Sequence, residues 1–175
     1  AIDEVKLVNF GDENEMRSIL QGYLEYGKFN EAMARYVPRE VYEQYKDRLP
    51  ATWARRCEHW YTEFERVEKG AEAWRRGDIE TYGRLSFESG WSSIHNWESG
   101  APEQIRLYEI MTETDGIYGG RFSGAGFKGC CMALVDPAFK ESIARTVTES
   151  YLKEFPQLEG KYSVHFCQSA DGVCL

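Results

Sequence analysis

The apolar residues between Pro50 and Gly77 recur at alternating spacings of four and three, the period of one face of an α-helix. The stripe consists of Trp53, Cys57, Trp60, Phe64, Val67, Ala71 and Trp74. Arg75, Arg76 and Gly77 follow it, and cations and a glycine are favoured where a helix ends. The pattern therefore predicts one long helix whose apolar stripe is a packing surface.

Three further helices are predicted after this one. Asp78 is suited to cap the first, and Pro102 suits the first turn of the second. Asp136 and Pro137 form a cap-and-first-turn pair before the third, which Pro156 ends. A polar helix from about residue 13 is also expected near the start of the chain.

Short apolar runs beside turn residues predict four strands. They are Val5 to Phe10, Ile117 to Phe122, Cys130 to Val135 and Tyr162 to Cys167. The order of helices and strands indicates an α+β fold, a ferredoxin-like split β-α-β unit with additional N-terminal helices. We expect a single domain over 1–175, helical over about 13–113, with a glycine-rich loop and sheet over about 117–168.

The composition narrows the possible partners. Twenty-one basic and twenty-nine acidic residues give a net charge of -8, and no basic stripe with interleaved aromatics would attract a nucleic acid. Apolar runs such as Met132 to Val135 are too short to cross a bilayer, and no secretory signal is visible. We therefore expect a cytoplasmic protein without a nucleic-acid or membrane partner.

The cysteines and histidines predict neither disulfides nor a metal site. The five cysteines are Cys57, Cys130, Cys131, Cys167 and Cys174. An odd number with two adjacent does not make a disulfide framework, so buried, reduced thiols are expected. The three histidines supply no spacing typical of a zinc site.

The segment with candidate chemistry is the glycine-rich stretch between the second and third predicted strands. Gly124, Gly126 and Gly129 can adopt positive φ and allow close approach of another group, and such a loop can turn several N–H groups toward an anion. A dinucleotide-binding loop would have to open a helix, whereas a strand is predicted next. A turn needed only for geometry is the simpler alternative.

A family resemblance favours the functional interpretation. The segment 119–131, Gly-Gly-Arg-Phe-Ser-Gly-Ala-Gly-Phe-Lys-Gly-Cys-Cys, followed by Met-Ala-Leu-Val, resembles the third conserved motif of the GHMP kinases in its galactokinase form. Blocks at 76–85, 88–98 and 102–119 resemble the family in the same order. The double cysteine and the block Ser-Ser-Ile-x-Asn-x-Glu-x-Gly are more similar to plant-type uronic-acid kinases than to plain galactokinases. The resemblance runs from about Val41 to the end.

The resemblance implies the C-terminal domain of a sugar-1-kinase, without the N-terminal domain that holds ATP in this family. The intact enzyme would transfer the γ-phosphoryl group of ATP, with Mg²⁺, to the anomeric hydroxyl of galactose, a related sugar or a uronic acid. The loop residues expected beside the phosphates and the sugar are Arg121, Ser123, Gly124, Ala125, Gly126 and Phe127. Neither a catalytic residue nor bound ATP, Mg²⁺ or another metal is expected in this chain alone.

One segment matches a family motif only superficially, and one residue departs from the family pattern. Ser89-Gly90-Trp91-Ser92-Ser93 is superficially similar to a phosphate loop, but it lacks the preceding proline and strand and is expected to be helical. Lys128 stands where the family often has glycine, and it could add charge beside the loop. A Cβ on Gly126 is expected to lower catalytic efficiency more than stability, because a loop substitution removes no core volume.

Other functions remain open from the sequence. The chain could be a non-catalytic sugar-sensing or regulatory module, or a separate domain that completes a kinase by pairing with an N-terminal chain. It begins at Ala1 rather than at Met, which agrees with a part of a longer protein. We expect the chain alone to lack kinase activity and to self-associate through its exposed domain interface.

Overall fold

The computed structural model describes residues 39–127 and 129–168 of the chain. The elements are α1 (Arg39–Tyr45), α2 (Ala51–Arg75), α3 (Ile79–His95), α4 (Pro102–Thr112), β1 (Ile117–Phe122), β2 (Cys131–Val135) and α5 (Lys140–Glu154). Short 3₁₀ turns lie at Lys46–Arg48, Pro137–Phe139 and Pro156–Leu158. The chain divides into two compact units, with the boundary inside α2 between Tyr61 and Thr62. Helices with a small sheet make the architecture α+β, as predicted.

The first unit, as far as it is described, is organised around Tyr42. This side chain is 2% exposed and its ring stacks on that of Tyr61, with the centroids 5.0 Å apart. Its hydroxyl lies 3.0 Å from both the Ala54 carbonyl oxygen and the Glu58 carboxylate. Burial and the neighbouring Glu58 raise the pKa of Tyr42 far above its usual value. The hydroxyl therefore stays a donor and ties α1 to the start of α2.

In the second unit, β1 and β2 form an antiparallel hairpin against α3. The pair Phe122 and Cys131 closes the ladder at the loop end. A Cβ on Gly119 of β1 would overlap the backbone carbonyl of Gly83 in α3. Helix and strand thus meet backbone to backbone, which only residues without side chains permit. This contact fixes where the hairpin lies on α3.

The apolar core of the second unit lies between α4 and α5. Its buried members are Ile110, Ile143, Val147 and Tyr151. Toward the hairpin loop, Tyr108 packs edge-on against Phe122, with ring centroids 6.3 Å apart, and both are buried. Aromatic pairs of this geometry add to the stabilisation gained from burial. The base of the glycine-rich loop therefore rests on a packed aromatic residue.

The predicted helix boundaries are largely confirmed. Helix α2 ends at Arg75, and Gly77 has φ of 70°, the left-handed conformation that glycine provides after a helix. The Asp78 carboxylate accepts the N–H of Thr81 at 3.0 Å and caps α3. Pro102 is the first residue of α4, as its fixed φ favours.

The cap at Asp136 differs in one detail from the prediction. Its carboxylate accepts the N–H of Ala138 at 2.8 Å, but the turn that it caps is the 3₁₀ turn Pro137–Phe139. Helix α5 begins only at Lys140. The buried face of α5 carries Ile143, Val147 and Tyr151 at a spacing of four, and these residues lie in the core.

The prediction that the apolar stripe of α2 is a packing surface is wrong for its part in the second unit. Phe64, Val67 and Trp74 are 41%, 63% and 53% exposed. The buried side of α2 carries Gly70 and Ala73 instead. Small residues are buried because α3 approaches there closely, and a Cβ on Gly70 would lie only 3.7 Å from the ring of Tyr82. Phe64 and Val67 are left outside this contact, whereas the ring of Trp74 lies against that of Tyr82, with centroids 4.9 Å apart.

The strand predicted over Tyr162 to Cys167 is not formed. Its apolar residues Val164 and Phe166 are 36% and 37% exposed, and Tyr162 packs through its ring against Tyr151 at 5.1 Å. An alternating pattern becomes a strand only when a neighbour supplies backbone hydrogen bonds, and the one sheet in the described residues contains only β1 and β2.

The remaining N-terminal predictions lie outside the described residues. They are the strand Val5 to Phe10 and the polar helix from about residue 13. The described elements α4, β1, β2 and α5 follow one another in the predicted order. None of the helices in residues 39–127 and 129–168 is both long and apolar enough to cross a membrane.

Candidate functional site

The candidate site is the loop that joins β1 to β2. The Ser123 N–H donates to the Cys130 carbonyl at 2.9 Å, which extends the hairpin by one pair beyond its strands. Gly124, Gly126 and Gly129 have φ of 90°, 80° and 115°, which residues with a Cβ rarely adopt. The order strand, loop, strand is confirmed, and it is not the strand-to-helix setting of a dinucleotide-binding loop.

The second glycine of the loop, Gly126, is buried and is held by a hydrogen bond. Its carbonyl accepts the N–H of Ala101, immediately before α4, at 2.6 Å. A Cβ here would lie 2.6 Å from Cε2 of Phe122, well inside contact distance. Because Phe122 is itself only 3% exposed, its ring has little room to move. The added methyl group would enter a buried contact, so the reason for expecting stability to suffer less than catalysis in Gly126→Ala does not hold.

The first glycine, Gly124, has different surroundings. It is exposed, and a Cβ built on it would meet nothing within 4 Å. The next residue, Ala125, is exposed as well, and Phe127 is 59% exposed. The tip of the loop thus faces away from the described part of the chain. A ligand can approach the backbone at Gly124 without displacing any described side chain.

The residues of the predicted loop site do not all face the same way. The Ser123 N–H is used within the hairpin, so its hydroxyl is the group that remains for a ligand. Gly126 is buried, whereas Gly124, Ala125 and Phe127 are exposed. Lys128 lies outside the described residues. The structure thus separates an exposed tip from a packed base.

Arg121, the last candidate, points its guanidinium toward the helices. Its Nη1 donates to Ser89 Oγ at 2.5 Å and to Glu63 Oε1 at 3.2 Å. Ser89 Oγ in turn donates to the same carboxylate oxygen at 2.5 Å. Glu63 lies on α2, Ser89 on α3 and Arg121 on β1. One arginine nitrogen therefore connects three elements just before the loop begins.

A second arginine completes this cluster. Arg66 donates from Nε and Nη2 to Glu63 Oε2, at 3.0 and 2.8 Å. Burial raises the pKa of Glu63, but the hydrogen bonds from Ser89 and Arg66 and the charges of Arg66 and Arg121 outweigh it, and the pKa lies below its usual value. Glu63 is therefore an ionised acceptor held between two cations. We call these four residues the Glu63 cluster.

Sequence reasoning did not find this cluster. Ser89 belongs to the segment that is superficially similar to a phosphate loop, but that segment lies inside α3, as predicted. Its serines are buried, and Ser93 donates its hydroxyl to the Ser89 carbonyl at 2.9 Å. The one signal in the sequence was the spacing of Glu63 and Arg66, three residues apart on a predicted helix.

The thiols and the potential metal ligands in the described part of the chain show no second site. Cys57, Cys130, Cys131 and Cys167 have free thiols, but Cys130 and Cys167 are exposed, so the prediction of buried thiols is wrong for these two. Burial raises the pKa of Cys131 to about 12, so this thiol is not a nucleophile at neutral pH. Within residues 39–127 and 129–168, no three His, Cys, Asp or Glu side chains are grouped so that they could hold a metal ion.

Comparison with known families identifies the hairpin and its supporting helices. The family model described as GHMP kinases C terminal matches residues 71–153, which include α3, α4 and the whole hairpin. Residues 71–153 belong to the GHMP kinase C-terminal family. This GHMP domain carries the glycine-rich loop between its strands, where the sequence resemblance places the third conserved motif.

Relatives of the GHMP domain are sugar kinases. Galacturonokinase from Arabidopsis thaliana is 45% identical over 141 residues, which cover 78% of this chain and 33% of the relative. Galactokinase from Bos taurus is 32% identical over 139 residues, covering 79% and 34%. The chain thus spans about a third of the length of these relatives.

A solved structure shows the same fold. The crystal structure of Lactococcus lactis galactokinase complexed with galactose matches with a TM-score of 0.66 at 19% identity, covering 88% of this chain and 40% of that chain. At this identity the match concerns the fold alone. It agrees with the α+β arrangement of the GHMP domain.

Proposed function

We propose that this chain is the C-terminal part of an ATP-dependent sugar-1-kinase that phosphorylates the anomeric hydroxyl of galacturonic acid or a closely related sugar. The observation that carries the proposal is the 45% identity to a galacturonokinase, against 32% to the bovine galactokinase. The matched family segment also contains the entire glycine hairpin. Galactose is the main alternative to galacturonic acid as the substrate.

In this proposal the exposed tip of the loop contacts the phosphates. The Ser123 N–H is occupied by the hairpin and Gly126 is buried, so the N–H groups of Gly124 and Ala125 are the backbone donors assigned to this role. The positive φ and open surroundings of Gly124 support it, because a concave run of N–H groups binds anions and needs close approach. Such donors stabilise charge that develops on the transferred group.

ATP and Mg²⁺ fit this chain only in part. ATP supplies the phosphoryl group, and the bare backbone at Gly124 suits its phosphates. Mg²⁺ prefers carboxylate oxygens, and no group of three suitable side chains occurs in the described ranges. At phosphoryl-transfer sites one or two carboxylates with phosphate oxygens suffice to hold Mg²⁺. On the family resemblance, we assign these carboxylates and the residues that activate the sugar hydroxyl to an N-terminal kinase domain.

The N-terminal kinase domain is also the proposed partner of the loop face. Phe127 and Met132 are 59% and 58% exposed on the loop and the strand that follows it. Exposed apolar residues beside a functional loop are suited to docking another domain. The chain alone should therefore lack kinase activity and self-associate, which light scattering over a range of concentrations measures. Phe127→Ser should reduce the association, and a strictly monomeric wild-type chain would contradict it.

The finer fold prediction is part of this proposal. The order α4, β1, β2 and α5 is the middle of a split β-α-β unit. It supports a proposed ferredoxin-like arrangement of the second unit, in which the last strand, predicted over Tyr162 to Cys167, is not formed.

The experiment is a substrate survey with the full-length protein that contains this sequence. ADP release is measured with galacturonic acid, galactose and glucuronic acid at saturating MgATP. The highest kcat/KM is expected for galacturonic acid. Gly124→Ala should lower the value for every sugar. Binding of galacturonic acid without turnover would instead favour a sugar-sensing module, and activity restored only by adding an N-terminal chain would favour a two-chain kinase.

A further inference from the structure

Arg121 is the charged residue that immediately precedes the glycine loop, with one residue between it and Ser123. An arginine at such a place invites the interpretation that it binds phosphate directly. Its guanidinium, however, donates to Ser89 and Glu63 rather than toward the exposed tip of the loop. The side chain is 39% exposed, and Glu63, its ionic partner, is 24% exposed.

We propose that Arg121 is a positioning residue: with Glu63 and Ser89 it fixes the end of β1 and thereby the exposed tip of the glycine loop. This inference rests on the proposed kinase function. Arg121 acts on the reaction through the backbone of the loop, and it does not contact the phosphates.

The geometry of the cluster supports a fixed arrangement. Ser89 is 4% exposed, and its hydroxyl both accepts from Arg121 and donates to Glu63. Charge-assisted hydrogen bonds of this length are stronger than neutral ones. Because Arg66 holds the other oxygen of Glu63, the carboxylate cannot rotate away from Arg121 without losing two further bonds.

The loop has one anchor on each side of its exposed tip. On the β1 side, Arg121 is tied to α2 and α3 by the Glu63 cluster. On the other side, the Gly126 carbonyl is tied to the N–H of Ala101, next to α4. Gly124 and Ala125 lie between these anchors. Loosening either anchor displaces the donors between them, and displacements of about 1 Å can cost on the order of a hundredfold in rate.

A double-mutant cycle on the full-length kinase separates positioning from direct phosphate contact. The variants are Arg121→Gln, Glu63→Gln and the double variant, assayed for kcat and for the KM of ATP. Positioning predicts that each single change lowers kcat by about tenfold, with the double variant no worse than either. Direct contact predicts that Arg121→Gln mainly raises the KM of ATP, while Glu63→Gln, which removes a competing anion, leaves or lowers it.

Conservative and control variants test the same point. Arg121→Lys keeps the charge but not the reach of the guanidinium, so positioning predicts little rescue, whereas direct contact predicts substantial rescue. Arg106→Gln is the matched control. It removes an interhelical ion pair of similar exposure, from Arg106 to Glu154 at 2.7 Å, that does not involve β1. Its kcat should stay within about twofold of wild type.

Hydrogen exchange on the full-length protein tests the positioning role without requiring catalysis. Arg121→Gln and Glu63→Gln should speed exchange of the amides whose hydrogen bonds hold the loop, those of Ser123 and Ala101, and leave the amides of the core helix α5 unchanged. Unchanged loop exchange would overturn the positioning role even if the kinase is active. Faster loop exchange in a protein without kinase activity would refute the proposed function and leave the anchoring intact.

Discussion

Gly124 and Gly126 are two residues apart in one loop and have almost the same backbone conformation, with φ of 90° and 80°. Their surroundings are opposite. Gly124 has nothing within 4 Å of a Cβ position, whereas Gly126 lies against the buried ring of Phe122. The comparison teaches that a glycine-rich motif mixes two requirements. One glycine leaves room for a ligand, and the other leaves room for the protein itself.

The largest effect is expected for Gly126→Ala. The new methyl group would overlap the Phe122 ring and would also hold an unfavourable positive φ. We expect a loss of about 3 kcal/mol in the free energy of unfolding, measured by urea denaturation of the full-length protein. Loss of activity in this variant would partly report unfolding. An unchanged unfolding midpoint would show that Phe122 can move aside and that the two glycines do not differ.

Gly124→Ala should affect catalysis more than stability. Only the positive φ opposes the methyl group here, so the cost in unfolding free energy should be about 1 kcal/mol. If the tip contacts the phosphates, kcat/KM should fall at least about tenfold, or about 1.4 kcal/mol in transition-state binding. Both quantities are measured on one preparation. A variant with normal kcat/KM would show that the loop serves only as a turn and does not contact the phosphates.

A second substitution, at Phe122, should make the stability cost of Gly126→Ala more similar to that of Gly124→Ala. In the double variant Phe122→Leu with Gly126→Ala, the smaller side chain leaves space for the added methyl group. The double variant should therefore recover about 1 kcal/mol relative to the sum of the two single changes. Phe122→Leu with Gly124→Ala is the control, and it should be additive. Strict additivity in both pairs would rule out the ring contact as the source of the difference.

The smallest effect is expected in the pH dependence of the unfolding free energy, to which Glu63 in the anchor on the β1 side contributes. The pKa of Glu63 lies below its usual value in the folded protein, so its stabilising contribution is present above the usual value of 4.5 and is lost as the pH falls through the folded pKa. The difference in unfolding free energy between wild type and Glu63→Gln should be constant at neutral pH and shrink in acid. Arg106→Gln serves as the exposed comparison. A difference that grows in acid would contradict the assigned ionisation.

The helices and the hairpin were predictable because their signals are local. Spacing, caps and the residues at helix ends depend on neighbours within a few positions, and Asp78 and Gly77 behave as such rules require. The exposure of Val67 was not predictable in this way. Which face of a helix is buried depends on what packs there, and on α2 the closest contact uses Gly70 and Ala73.

Part of the candidate site was likewise predictable from the sequence, and part was not. The glycine loop was found from its residue types and its family resemblance. The Glu63 cluster was missed because its members lie far apart in the chain: Glu63 and Ser89 are separated by 26 positions, and Glu63 and Arg121 by 58. Only the folded backbone brings them together. The difference between Gly124 and Gly126 was missed for the same reason, since it depends on where the Phe122 ring lies.

The contact between Gly83 and Gly119 limits how this protein can be altered. A methyl group on Gly119 would meet backbone atoms of Gly83, and one on Gly83 would meet the carbonyl of Tyr118. When a new side chain collides with another side chain, trimming the second can restore the fit. Here the obstacle is the main chain, which no substitution shortens. A suppressor search starting from Gly119→Ala should therefore return the original glycine, and no compensating replacement at position 83.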